Sequence, residues 1–356
     1  MGHRVSVNIA CYNHEDYIGA AIDSVLNQTF QDFELVICNN GSTDNSLNII
    51  ESYKDDRIKI ESVFPNKQST WAGNNCVERG DGEYVALLCS DDVWEKDKLQ
   101  KQVEYLDNHP ECAAVFTRCQ PIDKYGKFIN NENNGYNKHF NLLKNMSSGK
   151  WLRSIWDTAD HSFCCSSACI RRCCLEEAGS FDIRAKQIQD MILWAAILSK
   201  HEVHIIDEKL TQMRYFSDGS NLSVRNVKND FTVINESYML YQQFLKIKDL
   251  NKFLDFMPEV KTRFNKIDKK YIPFYISILT LENNTKLHFK KSALLKLYDL
   301  MGDAEYRTSL EKDLGFTHMD LYEIAEMFHY NFVFKTLFNH VGAVVCFFTE
   351  KFYKKM

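Results

Sequence analysis

Short apolar runs rich in β-branched residues alternate with segments of helical period through residues 5–89, and that alternation fixes the class of fold. VSVNIAC (5–11) leads into YNHEDYIGAAIDSVLNQ, where Ile18, Ile22, Val25 and Leu26 recur at helical spacing. FELVIC (33–38) reads as a second strand, closed by NNGSTDNS, a turn cluster that can also cap a helix carrying Leu47, Ile50 and Tyr53. RIKIESVF (57–64), a helix near Asn74 to Arg79 and EYVALLC (83–89) repeat the unit. Strands alternating with helices predict an α/β fold: a doubly wound, mostly parallel sheet with flanking helices on both faces. Ligands of such sheets bind outside the carboxyl ends of the strands. Those ends are Ala10 to Asn13, Cys38 to Ser42, and Ser90 to Asp92.

The three strand ends carry different chemistry. Tyr12 and Asn13 offer an aromatic face for a base and an amide. Asn39 and Asn40 offer two amides beside a glycine turn. Asp91 and Asp92 end the apolar run LLCSDD. Adjacent like charges are unfavourable unless they are solvated or share a cation. Read alone, the pair would be a solvated loop and helix cap; read at the end of a strand beside the other two, it suits a hard divalent cation, Mg²⁺ or Mn²⁺, that binds a diphosphate. No GxGxxG follows the first strand and no GxxxxGK[ST] occurs, so neither a dinucleotide fold nor a P-loop is supported.

Charge and cysteine content narrow the class further. With 43 basic and 48 acidic residues the formal net charge is −5, which gives no global field for nucleic acid. The opening MGHRVSVNIA lacks the features of a secretory signal, so a cytoplasmic, reducing setting is expected. The twelve cysteines then read as small core residues. Those at 164, 165, 169, 173 and 174 lack the paired C-x₂-C spacing of structural zinc sites. No apolar run is long enough to span a bilayer.

The series VSVNIACYNHEDYIGAAIDSVLNQTFQDFELVICNNGSTDNS, GEYVALLCSDD and DKLQKQVEYLDNHPECAAVF resembles the family 2 glycosyltransferases of the GT-A fold, over about residues 4–223. The resemblance implies an inverting, metal-dependent enzyme that moves one sugar from a nucleotide-sugar, by expectation a UDP-sugar, to a glycan or lipid-linked acceptor. Surface polysaccharide or lipopolysaccharide synthesis is the implied setting. It assigns donor binding to Ala10, Tyr12, Asn13, Asn40, Asn74, Ser90 and Asp91, and the metal to Asp91 and Asp92. Asn40 stands where the family usually has an Asp that reads the uracil, Cys89 replaces the first acid of the D-x-D-D pattern, and Gly73 replaces an Arg. The Q-x-x-R-W motif of processive synthases is absent, which points to single-sugar addition.

Residues 166–198 resemble the family's acceptor segment, with a turn through Gly179, Phe181 and Asp182 and a helix opening at Gln189 and Asp190. Gln189 replaces the family's Glu. Asp190 keeps the acid assigned as catalytic base, although the same residue alone would read as a helix cap. In MRYFSDGSNLS (213–223) the family's His is missing, and its role could pass to Ser217 or Asp218. The four departures leave a second reading open: a non-catalytic nucleotide-sugar-binding or assembly protein with a degenerate site.

A GT-A catalytic domain over 1–225 and a helical C-terminal region over 226–356 are expected, since strand-like runs give way to segments such as SALLKLYDL with Leu294, Leu295 and Leu297. The tail 332–356 combines aromatic and aliphatic residues with Lys351, Lys354 and Lys355. It reads either as a peripheral helix on the inner face of the membrane, or as a helix packed on the catalytic domain or on a second copy in a homodimer.

Overall fold

The computed structural model describes residues 2–130, 139–141, 144–216 and 227–337, with the backbone alone at 227–228 and 329–337. Ser217, Asp218 and the tail beyond 337 lie outside the described residues. The alternation seen in the sequence becomes β1 (Val5–Cys11), α1 (Ile18–Leu26), β2 (Phe33–Asn40), α2 (Ser46–Ser52), β3 (Ile58–Val63), α3 (Ser69–Arg79) and β4 (Tyr84–Cys89). A short β5 (Val93–Trp94), α4 (Lys98–Asn108), β6 (Cys112–Ile122), β7 (Cys169–Arg171) and β8 (Glu202–Arg214) complete the strands.

The order across the sheet is β3-β2-β1-β4-β7-β6-β8-β5. β1, β2, β3 and β4 are parallel, β7 runs antiparallel between β4 and β6, and β8 is parallel to β6. Register places Ala10 beside both Cys38 and Cys89, which aligns the three strand ends at one edge. β5 turns back antiparallel on β8, pairing Val93 with Gln212. The chain just after Asp92 is thereby laid against the end of β8, where Arg214 stands.

Both faces are buried, as the continuous apolar runs require. Along β4, Tyr84, Ala86 and Leu88 pack with α1 and α4 on one side. Val85 and Leu87 face the other. There the core is continuous from the sheet through helices Ser148–Thr158 and Gln189–Leu198 into the helices beyond residue 227. Trp156 sits at this join: its indole N–H donates to Thr280 Oγ1 at 3.1 Å, its carbonyl accepts from Asn284 Nδ2 at 2.7 Å, and its ring meets Phe256 edge-on. The expected helix around SALLKLYDL spans Leu287–Gly302 and buries Leu294 and Leu297, while Leu295 faces solvent.

Candidate functional site

The turn after β2 requires its glycine. Gly41 has φ +78°, and a Cβ there would lie 2.6 Å from the Asn66 nitrogen. Close approach of this turn to residues 65–68 gives Asn40 its partners: Oδ1 accepts from the Lys67 N–H at 2.9 Å and Nδ2 donates to the Gln68 carbonyl at 3.1 Å. The buried Asn40 amide thereby ties the end of β2 to the neighbouring loop. Asn13 acts similarly, taking φ +51° and accepting the Thr43 N–H at 2.8 Å, so the β1 and β2 loops are stapled together. Ala10 lies at the aligned strand end, and Tyr12 beside it is 46% exposed, leaving its ring open to solvent.

The two adjacent aspartates do different work. Asp92 is buried; its Oδ1 accepts the Arg214 N–H at 2.8 Å, and its Oδ2 accepts the Ser166 hydroxyl. Both oxygens thereby tie the β4 end to β8 and to the loop before β7. Burial, followed by the charge of Asp91, pushes its carboxyl up to about 8. Asp91 is only partly buried, and burial raises its carboxyl too. Ser90, buried between them and β1, bonds His14 Nδ1 at 2.7 Å.

Cys89, Asp91 and Asp92 each place one ligand atom within 4.8 Å of the others. A divalent cation of the Mg²⁺ class needs only one or two carboxylates when substrate phosphates and water supply the rest. Asp91 and Asp92 supply those carboxylates, whereas the Cys89 thiol, its pKa raised by Cys165 and by burial, is a poor ligand for such an ion.

Arg214 escaped the sequence reading. Its guanidinium donates from Nε to the Asp91 carbonyl at 2.7 Å and from an Nη to the Asp123 carbonyl at 2.8 Å, and it lies 4.7 Å from the Tyr17 ring centroid. One cation thus braces the backbone of the carboxylate loop. Nothing local in MRYFSD signals this, because its partners come from other strands.

The Asn74 amide grips the backbone of Phe181 at both ends, donating to the carbonyl at 2.8 Å and accepting the N–H at 3.0 Å, and so shapes the Gly179–Phe181 turn.

Asp190 lies in the first turn of helix Gln189–Leu198, as the sequence indicates. Its side chain is 29% exposed, with Oδ2 3.3 Å from His161 Nε2 and Oδ1 accepting the Met191 N–H at 2.8 Å. Burial alone would raise its pKa, but His161 and the backbone N–H outweigh that and hold it below the usual carboxylate range. The loop entering this helix is anchored by Glu236, a buried carboxylate that accepts the N–H groups of Lys186, Gln187 and Ile188 at 2.7, 2.9 and 3.0 Å. Glu236 and His161 were both missed in the sequence, since neither lies in a motif.

One short stretch joins the two carboxylate centres. His161 reaches Asp190, and Ser166 reaches Asp92. Five residues can span at most about 17 Å, so this segment ties the start of the Asp190 helix to the β4 end over a short reach.

Residues 6–175 match the family model described as Glycosyl transferase family 2. TuaG of Bacillus subtilis, assigned by name to teichuronic acid biosynthesis, is 38% identical over 130 residues, 34% of this chain and 51% of that one. The UDP-Glc:alpha-D-GlcNAc-diphosphoundecaprenol beta-1,3-glucosyltransferase WfgD of Escherichia coli is 27% identical over 63% of this chain and 81% of its own. The chain spans about half the length of the first curated relatives it matches. Among solved structures, S. aureus TarS 1-349 in complex with UDP-GlcNAc is similar with a TM-score of 0.58 at 17% identity, over 92% of this chain and 89% of that one. That likeness extends through the C-terminal helices and speaks for the fold.

Proposed function

Because residues 6–175 belong to glycosyl transferase family 2, we propose that the protein transfers a single sugar, with inversion, from a UDP-sugar to a hydroxyl of a glycan or lipid-linked acceptor. The observation that carries the proposal is the pair of carboxylate centres joined through residues 161–166: Asp190, partly exposed with a lowered pKa, and the Asp91–Asp92 pair at the end of β4.

Tyr12, with its exposed ring, covers the base. Asp91 and Asp92 would hold Mg²⁺ or Mn²⁺, which when bound would neutralise charge on the departing nucleoside diphosphate. Ser90 and His14 brace the first strand end against the fourth. Arg214 keeps the carboxylate loop in place. Asp190, ionised at neutral pH, takes the proton of the acceptor hydroxyl as that oxygen attacks the anomeric carbon from the side opposite the leaving group. WfgD carries a lipid diphosphate acceptor and UDP-Glc in its name, which supports the same substrate classes here. Among the described residues no helix is long and apolar enough to cross a membrane. Any approach to a lipid-linked acceptor by this part of the chain is then peripheral.

UDP should raise the melting temperature in the presence of Mn²⁺ and not in EDTA, by linkage of binding to folding. Equal stabilisation in EDTA would remove the metal from the reading. Failure of Asp190→Asn to lower Mn²⁺-supported turnover of UDP-glucose would remove the base.

A further inference from the structure

The contact between His161 and Asp190 has a direction that the surrounding hydrogen bonds define. The Phe163 N–H donates to His161 Nδ1 at 3.2 Å, so Nδ1 presents a lone pair and the hydrogen of the neutral ring sits on Nε2, facing Asp190 Oδ2. In the imidazolium Nε2 carries hydrogen as well. In neither form does His161 offer a free nitrogen to an acceptor, and its side chain is only 10% exposed. It cannot itself serve as the base.

The ring is held from several sides. The main-chain N–H of His161 donates to Asp160 Oδ1 at 2.9 Å, and around the ring itself Phe163 lies nearly parallel at 6.3 Å and His139 edge-on at 6.5 Å. The charged and titratable groups facing the pair are Asp160 and His139, themselves 3.6 Å apart. Burial opposes the imidazolium, yet the Asp190 carboxylate outweighs it and raises the pKa of His161. With Oδ1 fixed by the Met191 N–H and Oδ2 by His161, the carboxylate plane of Asp190 is set. The Asp190 side chain keeps 29% of its surface exposed.

We propose that His161 is the positioning residue for Asp190, donating Nε2–H to Oδ2 so that the carboxylate stays ionised and aimed at the acceptor hydroxyl. The proposal rests on Asp190 being the base. It assigns to the segment before β7 a role in proton transfer that is separate from donor binding.

The test follows Mn²⁺-supported hydrolysis of UDP-glucose, with water as acceptor, against pH, alongside a carboxylate ¹³C NMR titration of Asp190 that needs no turnover. His161→Leu should lower hydrolysis about tenfold or more and move its acid limb to higher pH, because the half-buried carboxylate loses a donor. UDP-induced thermal stabilisation should persist. His161→Gln, whose amide N–H can stand where Nε2 stood, should restore rate and limb. His161→Asn, too short to reach Oδ2, replaces the leucine variant if that one does not fold. A wild-type acid limb and NMR titration in His161→Leu, or a glutamine variant no better than leucine, would overturn the proposal. If Asp190→Asn is inactive while His161→Leu is unchanged, only the positioning role fails. If Asp190→Asn hydrolyses at the wild-type rate, the base assignment fails first and takes this proposal with it.

Discussion

Replacing Glu236 by alanine should damage stability and turnover together, and the size of the first effect follows from its three bonds. The carboxylate is buried on helix Val227–Phe244 and accepts three successive N–H groups from the loop that leads into the Asp190 helix. A buried N–H stranded without an acceptor costs about 1–3 kcal/mol. Ile188 is buried and should bear that cost in full; Lys186 and Gln187 lie nearer solvent and regain some hydration, about 1 kcal/mol each being left. The sum is about 3–5 kcal/mol. Unfolding entropy runs near 2.1 cal/mol/K per residue, so a cooperative unit of this length moves about 1.3 °C per kcal/mol and the melting temperature should fall about 4–7 °C. Glu236→Gln keeps one acceptor oxygen and sets an amide NH₂ against one N–H, so it should fall roughly half as far. Calorimetric or circular-dichroism melts give the shift, and hydrolysis of UDP-glucose at a temperature where the variants remain folded gives the catalytic loss, about tenfold. A melting temperature within about 1 °C of wild type for Glu236→Ala would refute the reasoning, since three unpaired donors cannot be that cheap.

The two aspartates should separate in the same assays. Asp91→Asn should abolish the Mn²⁺-dependent shift caused by UDP while leaving the unliganded melting temperature nearly unchanged. Asp92→Ala should cost about 2–4 kcal/mol of stability and lower that melting temperature by about 3–5 °C, because the Arg214 N–H and the Ser166 hydroxyl lose their acceptor. Lys98 supplies a pH prediction. It is fully buried, 2.6 Å from Gln102 Oε1 and 3.8 Å from the centre of the Trp94 ring, and burial lowers its pKa to about 7. Between that value and the ordinary 10.5 the unfolded chain binds a proton that the folded chain does not. Stability should therefore rise with pH across this window and fall as pH drops toward 7. Urea melts at pH 7 and pH 9 should show the rise in wild type and a flatter response in Lys98→Met; equal slopes would refute a neutral buried amine.

The sequence made the sheet legible because each strand announces itself locally, by β-branched apolar runs between turns, and the observed β1 to β4 fall within two residues of those runs. The order of strand ends and the helix start at Asp190 were legible for the same reason. What stayed hidden was partnership across distance. Asp92 meets its partners 74 and 122 residues away, Asn74 meets Phe181 at a separation of 107, and Glu236 caps a loop about fifty residues earlier. An aspartate or asparagine at a strand end looks the same in sequence whether its polar atoms face a ligand or another loop. That is why the fastening contacts of Asn40, Asn74 and Asp92 are not legible beside the donor and metal roles expected of them. The mixed half of the sheet was invisible as well, since the direction in which β7 and β5 join depends on the crossing of the chain and not on any local pattern.

The join at Trp156 bears on how this protein can be inherited and recombined. Its indole meets Phe256 and Thr280 and its carbonyl meets Asn284, all from the helical region that the family model does not cover. A gene fusion or recombination event that exchanged only the segment recognisable as glycosyl transferase would carry Trp156 away from its socket and leave a large aromatic cavity, a change that costs about 3–5 kcal/mol when made by truncating such a side chain. Substitutions on either side of that socket are thus expected to be correlated in the protein's lineage, and a chimera built at the edge of the recognisable segment will need the helices to travel with it.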